Sequence, residues 1–356
     1  MKKIFVVLIA ALLLLPIVGC SSGQTPTETS PSPSTVASAT PTDETAAVED
    51  YYPILGNIHY VYEGEGNEYA GFDRVVDYTS DAKIQERHNN GGTELVRVID
   101  VSDGKVTVVY AQEERYFREN ELDKKDGNSQ VLLMEPIKEG TAWTNDDGSV
   151  STITAVSEPL ETPSGSYSAV VVERVSEGTD TLYYFAKDIG LVKIVSKTGD
   201  YETTSTLAEI QKDASFTQLV RFYYPGASDG KQYYKKQTLS FKTNDVTKTT
   251  FEAAYTAAFE GKPGTVLPEN TKINRLALGD DGIVYIDLSR EFLTGMNAGS
   301  EYEQQILQSL ANTFGSYYGV DKVIPTIDGA LYESGHVRLK QGEYLTVDTE
   351  NSLELK

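Results

Sequence analysis

The chain has 356 residues, and 53 Asp and Glu against 31 Lys and Arg give it a formal net charge of -22. Such a surface speaks against nucleic acid and against electrostatic docking on anionic lipid, both of which need a basic face. One cysteine excludes a disulfide framework, and three histidines leave little for a zinc site or a catalytic triad. A single core stops growing near ~250 residues, so two domains are expected.

Lys2 and Lys3 precede an unbroken apolar run from Ile4 to Leu15, followed by Pro16 and Ile17-Val18-Gly19-Cys20. The run falls short of the ~20 residues a spanning helix needs, and residues 1–19 read as a secretory signal peptide. Ile17-Val18-Gly19-Cys20 resembles the bacterial lipobox. The resemblance implies cleavage before Cys20, diacylation of its thiol, and a chain held on the membrane through diacylglyceryl-Cys20. Two acyl chains anchor stably because each buried methylene contributes about 0.8 kcal/mol. Residues 20–50 then form a tether: 21–50 hold six Ser, seven Thr and four Pro with little apolar bulk, too little to offset chain entropy. Its r.m.s. reach is roughly 30 Å.

Residues 51–210 read as strands. Asn57–Tyr62, Gly71–Tyr78, Thr93–Val101, Lys105–Ala111, Thr141–Thr144, Val150–Val156, Tyr167–Val175, Thr181–Ala186, Leu191–Lys197 and Tyr201–Leu207 are the candidates. Asp-Gly signatures at Ser102-Asp103-Gly104-Lys105 and Asn145-Asp146-Asp147-Gly148 predict hairpins. Glu113–Leu122 is at most a short turn. A faint echo links Pro53-Ile54-Leu55-Gly56, before His59-Tyr60, with Pro136-Ile137-Lys138-Glu139-Gly140, before Ala142-Trp143-Thr144. The segment ending Gly190-Leu191-Val192 looks like a β-rich region of bacterial surface lipoproteins. Its concave face either holds an apolar ligand or is filled by its own side chains.

Residues 216–345 mix strands and helices, with 346–356 as a tail. Thr217–Tyr224 is a strand. Thr249–Glu252 and Ser300–Glu303 are candidate capping boxes, in which the hydroxyl takes the N3 amide and the glutamate reaches back. The first opens a helix with Phe251, Ala254, Tyr255, Ala258 and Phe259 on one face, ending at Gly261. The second opens one with Tyr302, Ile306, Leu310, Phe314 and Tyr317 aligned. Between them, Lys272–Leu278 and Ile283–Leu288 flank the hairpin signal Gly279-Asp280-Asp281-Gly282, and Lys322–Ile327 is a further strand.

Leu267-Pro268-Glu269-Asn270-Thr271-Lys272-Ile273, Gly282–Phe292, Ala298–Glu303 and Gly319–Val323 with Asp328-Gly329 resemble, in order, the motifs of the GerMN domain. That family occurs in spore-germination and sporulation lipoproteins. The expected class is α+β: an N-terminal all-β antiparallel domain (curved sheet or half-barrel), then a C-terminal GerMN-like domain with two helices on a sheet. The resemblance implies an extracytoplasmic scaffold or protein-interaction module rather than an enzyme. Tyr233-Tyr234-Lys235-Lys236 departs from the family pattern and one copy is present, so docking to a separate envelope or sporulation partner stands beside homo-oligomer assembly. The alternative is a lipoprotein that holds a lipid or cell-wall fragment in the β-rich domain.

The remaining chemistry is sparse. His59, His88 and His336 lie in separate segments without metal spacing. Asp123–Gly127 lacks the alternating ligands of a calcium loop, and the paired aspartates 146–147 and 280–281 suit hairpins. Asp287 and Ser289 are expected to cap the turn Ser289–Phe292. No catalytic residue, cofactor or metal ligand is expected. Tyrosine doublets at 51–52, 183–184, 223–224, 233–234 and 317–318 would each, within a strand, point to opposite faces and expose one ring.

Overall fold

Tight turns set the first region. At Ser102-Asp103-Gly104-Lys105 both central residues have positive φ (51° and 67°), the turn whose twist matches the flanking strands, and Ser102 pairs with Lys105. The computed structural model describes residues 46–127 and 129–355; the leader, Cys20 and the tether to residue 45 lie outside the described residues.

A short helix α1 (Val48–Tyr51) precedes twelve strands. The first six are β1 (Ile58–Glu65), β2 (Phe72–Thr79), β3 (Lys83–Asn89), β4 (Glu94–Ser102), β5 (Lys105–Gln112) and β6 (Gln130–Met134). The second six are β7 (Ala142–Thr144), β8 (Val150–Thr162), β9 (Gly165–Ser176), β10 (Thr179–Ala186), β11 (Gly190–Thr198) and β12 (Tyr201–Lys212). All ten expected strands are present; β3 and β6 are additional. Together they form one antiparallel sheet ordered β6-β5-β4-β3-β2-β1-β12-β11-β10-β9-β8-β7.

This order is two six-stranded meanders joined where β1 pairs with β12. The Pro-Ile echo falls at equivalent places, leading into β1 in one meander and β7 in the other. The outer edges β6 and β7 are not joined by a ladder. They meet through side chains: Val131 N donates to Asn145 Oδ1 at 2.8 Å, and Trp143 Nε1 donates to Val131 O at 3.0 Å. Two side chains thus take the N–H and C=O that a closing ladder would use.

The interior is packed by the sheet's own side chains. Val76, Ile99, Val108, Ile153, Val172 and Phe185 share one buried cluster with Val48 and Tyr52. Val48 is 0% exposed and Tyr52 2%, so residues 46–50, expected in the tether, belong to the folded body. Burying two large apolar groups outweighs the entropy of ordering this segment.

The second region carries β13 (Phe216–Pro225), β14 (Gln232–Phe241), α2 (Thr247–Thr256), β15 (Ile273–Leu278), β16 (Val284–Leu288), α3 (Glu291–Gly295), α4 (Ser300–Tyr318) and β17 (Lys322–Ile327). Three short strands follow: β18 (Ala330–Leu331), β19 (Leu345–Thr346) and β20 (Leu353–Glu354). One sheet runs β13-β14-β20, and another runs β15-β16-β17-β18 with β19 also on β17. Phe251 and Tyr255 of α2 and Ile306, Leu310 and Phe314 of α4 fill one core with residues of both sheets. The class is α+β, as the patterning implies. Gly319 (φ 70°) ends α4 in the left-handed conformation, with its N–H on Gly315 O.

Three expectations change here. Neither capping box forms: Val246 and Gly299 occupy the N-caps, without side-chain cap bonds. Glu252 instead accepts Ile273 N at 2.5 Å, and Glu303 accepts Tyr332 Oη at 2.6 Å. Both glutamates are buried, and a buried carboxylate needs partners from the elements packed on it. Helix α2 stops at Thr256, short of Gly261, and the Lys262 ammonium binds Tyr255 O. Residues 346–356, expected as a tail, are attached through residue 355: Asp348 N and O bond the Asn312 side chain and β20 pairs with β14. A Cβ at Gly315 would meet Val347 Cγ2 at 2.2 Å, so the glycine admits this segment onto α4.

Asn145→Ala removes the acceptor for Val131 N and the bonds from Nδ2 to Ser149 and Ser151. The orphaned amide should cost about 2 kcal/mol, seen as a lower urea midpoint together with faster hydrogen exchange at Val131.

Candidate functional site: the cleft between the two regions

The 113–129 connection between β5 and β6 is long, and the described part of it forms no helix or strand. It lies between the two regions and places Phe117, Arg118 and Glu119 there. Phe117 enters the second region's core, its ring 4.7 Å from that of Tyr318. Arg118 is 0% exposed. It donates to Asp77 O (2.8 Å) and Tyr78 Oη (2.6 Å) of β2, and to Asp245 O (2.5 Å), Thr247 Oγ1 (3.1 Å) and Lys242 O (3.3 Å) of the second region. Its Nε lies 3.4 Å from Asp77 Oδ1, an ion pair without hydrogen-bond alignment.

Asp77 also takes Arg87 of β3, at 3.0 Å from Nη2. Arg87 in turn donates to Glu94, to Phe117 O and to Arg115 O. Gln85, also on β3, bonds the backbone of Glu119 and Glu121. Asn57 and Thr243 exchange bonds of 2.7 and 2.9 Å across the same boundary.

A cleft of about 600 Å³ opens beside this contact. Asn274, Arg275, Leu276, Ala277 and Leu278 line it in succession. Five consecutive strand residues alternate in facing, so the cleft meets β15 edge-on. Tyr78, Arg118, Glu119, Lys124, Lys248 and Tyr318 form other walls. Glu119 Oε1 accepts Leu278 N at 2.8 Å. Burial pushes the Glu119 carboxyl above its usual range, against the pull of that amide. Lys248 Nζ donates to Ile273 O at 2.8 Å, and the Arg275 charge acts on Asp287.

A second polar cluster lies inside the β-rich region. Glu86 receives Arg74 at 3.0 Å and Tyr52 Oη at 3.0 Å, and Arg74 stacks 3.9 Å over the Tyr60 ring. Burial disfavours the Glu86 anion, but Arg74 above all, then His88 and Arg97, hold its carboxyl far below the ordinary range. His88 Nε2 lies 3.0 Å from Arg97 Nη2 and 3.2 Å from Glu86 Oε2. Burial first, then the Arg97 charge, pushes His88 down to about 4.

The residues singled out in the sequence do not converge on the cleft. Cys20 lies outside the described residues. His59 faces Asp73 at 3.4 Å, His88 sits in the Glu86 cluster, and His336 lies in a turn closed by Ser334. No group of described residues is arranged to hold a metal. Asp287 does not cap Ser289–Phe292. Its Oδ1 accepts Thr326 Oγ1 and Gly329 N, which fixes the following β17–β18 turn, because β16 and β17 lie side by side. Ser289 Oγ accepts Lys272 N. The tyrosine doublets also differ from expectation: Tyr69, Tyr116, Tyr201 and Tyr344 are the exposed rings, and none belongs to a doublet. Tyr223 and Tyr224 are both buried, Tyr224 against Tyr255 of α2 and Tyr223 beside the Tyr234 ring, although Leu219 and Arg221 on the Tyr223 face are exposed. Arg118 and Glu119 were missed; the signal was a 17-residue gap between apolar runs, a length usual for functional loops.

No helix among the described residues is long and apolar enough to cross a membrane. Residues 221–333 match the family model described as "Germane: Sporulation and spore germination". The chain therefore carries a GerMN-like domain in its second region. Among solved structures it is similar to the tandem GerMN domains of the sporulation protein GerM from Bacillus subtilis, at 24% identity and a TM-score of 0.28. That match covers 37% of this chain and 46% of the other, so it spans less than half of the tandem protein. The first GerMN domain of the same protein matches at 24% identity and a TM-score of 0.28, over 37% of this chain and 97% of that one. A comparison with curated proteins gives no match.

Two outcomes follow from the buried charges. Arg118→Met leaves Asp77 short of a cation and several carbonyls without a donor; a cost of about 3–5 kcal/mol is expected, read as a lowered denaturation midpoint and new protease cleavage within 113–127. His88 has a folded value below its unfolded one, near 6.5, so the unfolded chain takes up the proton first. Its contribution is complete above about pH 6.5 and is lost as pH falls towards about 4, by at most about 3 kcal/mol. Urea titrations at pH 7 and 4.5 should show this slope, and His88→Gln should flatten it.

Proposed function

We propose that the protein is a membrane-anchored, extracytoplasmic lipoprotein, linked to sporulation or germination, whose folded body docks another envelope protein without catalysing a reaction. The observation that carries this reading is the GerMN-like match over residues 221–333 downstream of Ile17-Val18-Gly19-Cys20. The cleft supports docking: its carboxylate Glu119 is engaged with the Leu278 backbone amide. The competing reading, a lipid or wall fragment held in the β-rich region, is disfavoured by an interior occupied by Val76, Ile99, Ile153, Phe185 and their neighbours.

In the producing organism, Cys20→Ala should move the protein from the membrane fraction to the extracytoplasmic soluble fraction. Crosslinking of intact envelopes should give a defined heterologous adduct with the wild type. Retention of Cys20→Ala in membranes would overturn the anchor. Absence of any adduct, with normal sporulation and germination of the deletion strain, would overturn the docking role.

A further inference from the structure

The outer edge of β15 has a particular pattern of occupancy. β15 ends its sheet, with β16 on one side only. Ile273 N is taken by the Glu252 carboxylate at 2.5 Å, and Leu278 N by the Glu119 carboxylate at 2.8 Å. Both ends of the edge are therefore closed by acidic acceptors from within the chain. Leu278 N points away from β16, whereas Gly279 N bonds Ile283 O in the hairpin. Alternation places the Leu276 N–H and C=O on the outer side with Leu278. Those groups face the cleft that Asn274 to Leu278 line.

The cleft around this open midpoint suits an extended chain. Its volume of about 600 Å³ lies in the usual range for binding sites, and between the two closed ends β15 leaves the Leu276 N–H and C=O for pairing. Val246, Leu276 and Leu278 give apolar footing, and Val246 is 53% exposed. Lys248 and Arg275 flank the row, with Arg275 also acting on Asp287; Lys124 opposite is paired with Glu121 at 3.2 Å, and Asp280 stands at the hairpin end. Lys248 and Arg275 thus place two cations beside Leu276 on a chain of net charge -22, a local charge complementary to acidic side chains of an occupant.

We propose that the cleft binds an acidic peptide segment of a partner protein in extended form, paired to the outer edge of β15 at Leu276, with its carboxylates at Lys248 and Arg275. The mode is strand addition: main-chain bonds supply affinity, and alternate side chains supply selectivity. The inference rests on the docking reading above and adds the partner's chemistry and the place where it binds.

The test uses the full chain in detergent and a fluorescein-labelled heptapeptide of alternating Glu and Val, read by anisotropy. Binding is expected for this peptide, weakening with salt, and not for the Lys-Val counterpart. Methylating the peptide's backbone amides on alternate positions should abolish binding in one of the two registers. The Lys248→Glu, Arg275→Glu double variant should weaken binding at least about tenfold, while Arg290→Glu, outside the cleft, should not. Hydrogen exchange at Leu276 should slow on binding. Equal binding of both peptides, tolerance of both methylation registers, or unchanged exchange at Leu276 would overturn the proposal. A heterologous adduct in envelopes without peptide binding would overturn the site alone and leave the docking role standing.

Discussion

The structure depends on a buried carboxylate held between two guanidinium groups. Asp77 is 1% exposed, with Arg87 and Arg118 also buried. Taking these charges out of water is costly, and the cost is offset only when nearly every donor and acceptor finds a partner. That requirement reaches far. Satisfying Arg118 needs carbonyls at 77, 242 and 245 and hydroxyls at 78 and 247, from both regions at once. The two regions therefore cannot separate without stranding a cation. The walls of the cleft are set by the same contact, since Glu119 follows Arg118 and Val246 and Lys248 flank Thr247.

This explains why β2 and β3 are unlike ordinary strands of a half-solvated sheet. Ile84 and Glu86 of β3 face the interior, while Gln85 and Arg87 face the second region. All four are buried. A strand covered on both faces loses its polar-out alternation, and here polar groups occupy both sides because each has a charged partner. The interior cluster around Glu86 and the boundary cluster around Asp77 are thus the two faces of one strand.

The same fact shows what could be read from the sequence and what could not. The Asp-Gly turns at 103–104, 147–148 and 281–282 were legible because the left-handed backbone at Asp103, Gly104, Gly148 and Gly282 favours these residue types. The helical face of α4 was legible because Ile306, Leu310 and Phe314 repeat at the period of the helix. Strand β3 was not: Lys-Ile-Gln-Glu-Arg-His-Asn shows no apolar period, and only tertiary partners make its charges inward-facing. The capping boxes failed for a related reason. Thr249–Glu252 and Ser300–Glu303 have the right local spelling, but Glu252 and Glu303 are buried and bond β15 and Tyr332 instead. Of the site, the hairpin of β15 was visible, whereas Arg118 and Glu119 come from a distant loop that no local pattern ties to it.

Unpaired strand edges are the remaining constraint, because each exposes a row of donors and acceptors. The β6 and β7 edges meet through Asn145 and Trp143 at Val131. The outer edge of β13 is met by α4, where Thr313 Oγ1 accepts Tyr223 N at 2.9 Å. At β15 the device is different: two carboxylates, the buried Glu252 and the partly buried Glu119, bind the terminal amides and leave the middle open to a cleft. Closing the ends while keeping the centre reachable is what a strand edge needs to receive one short extended segment and to resist indefinite sheet growth.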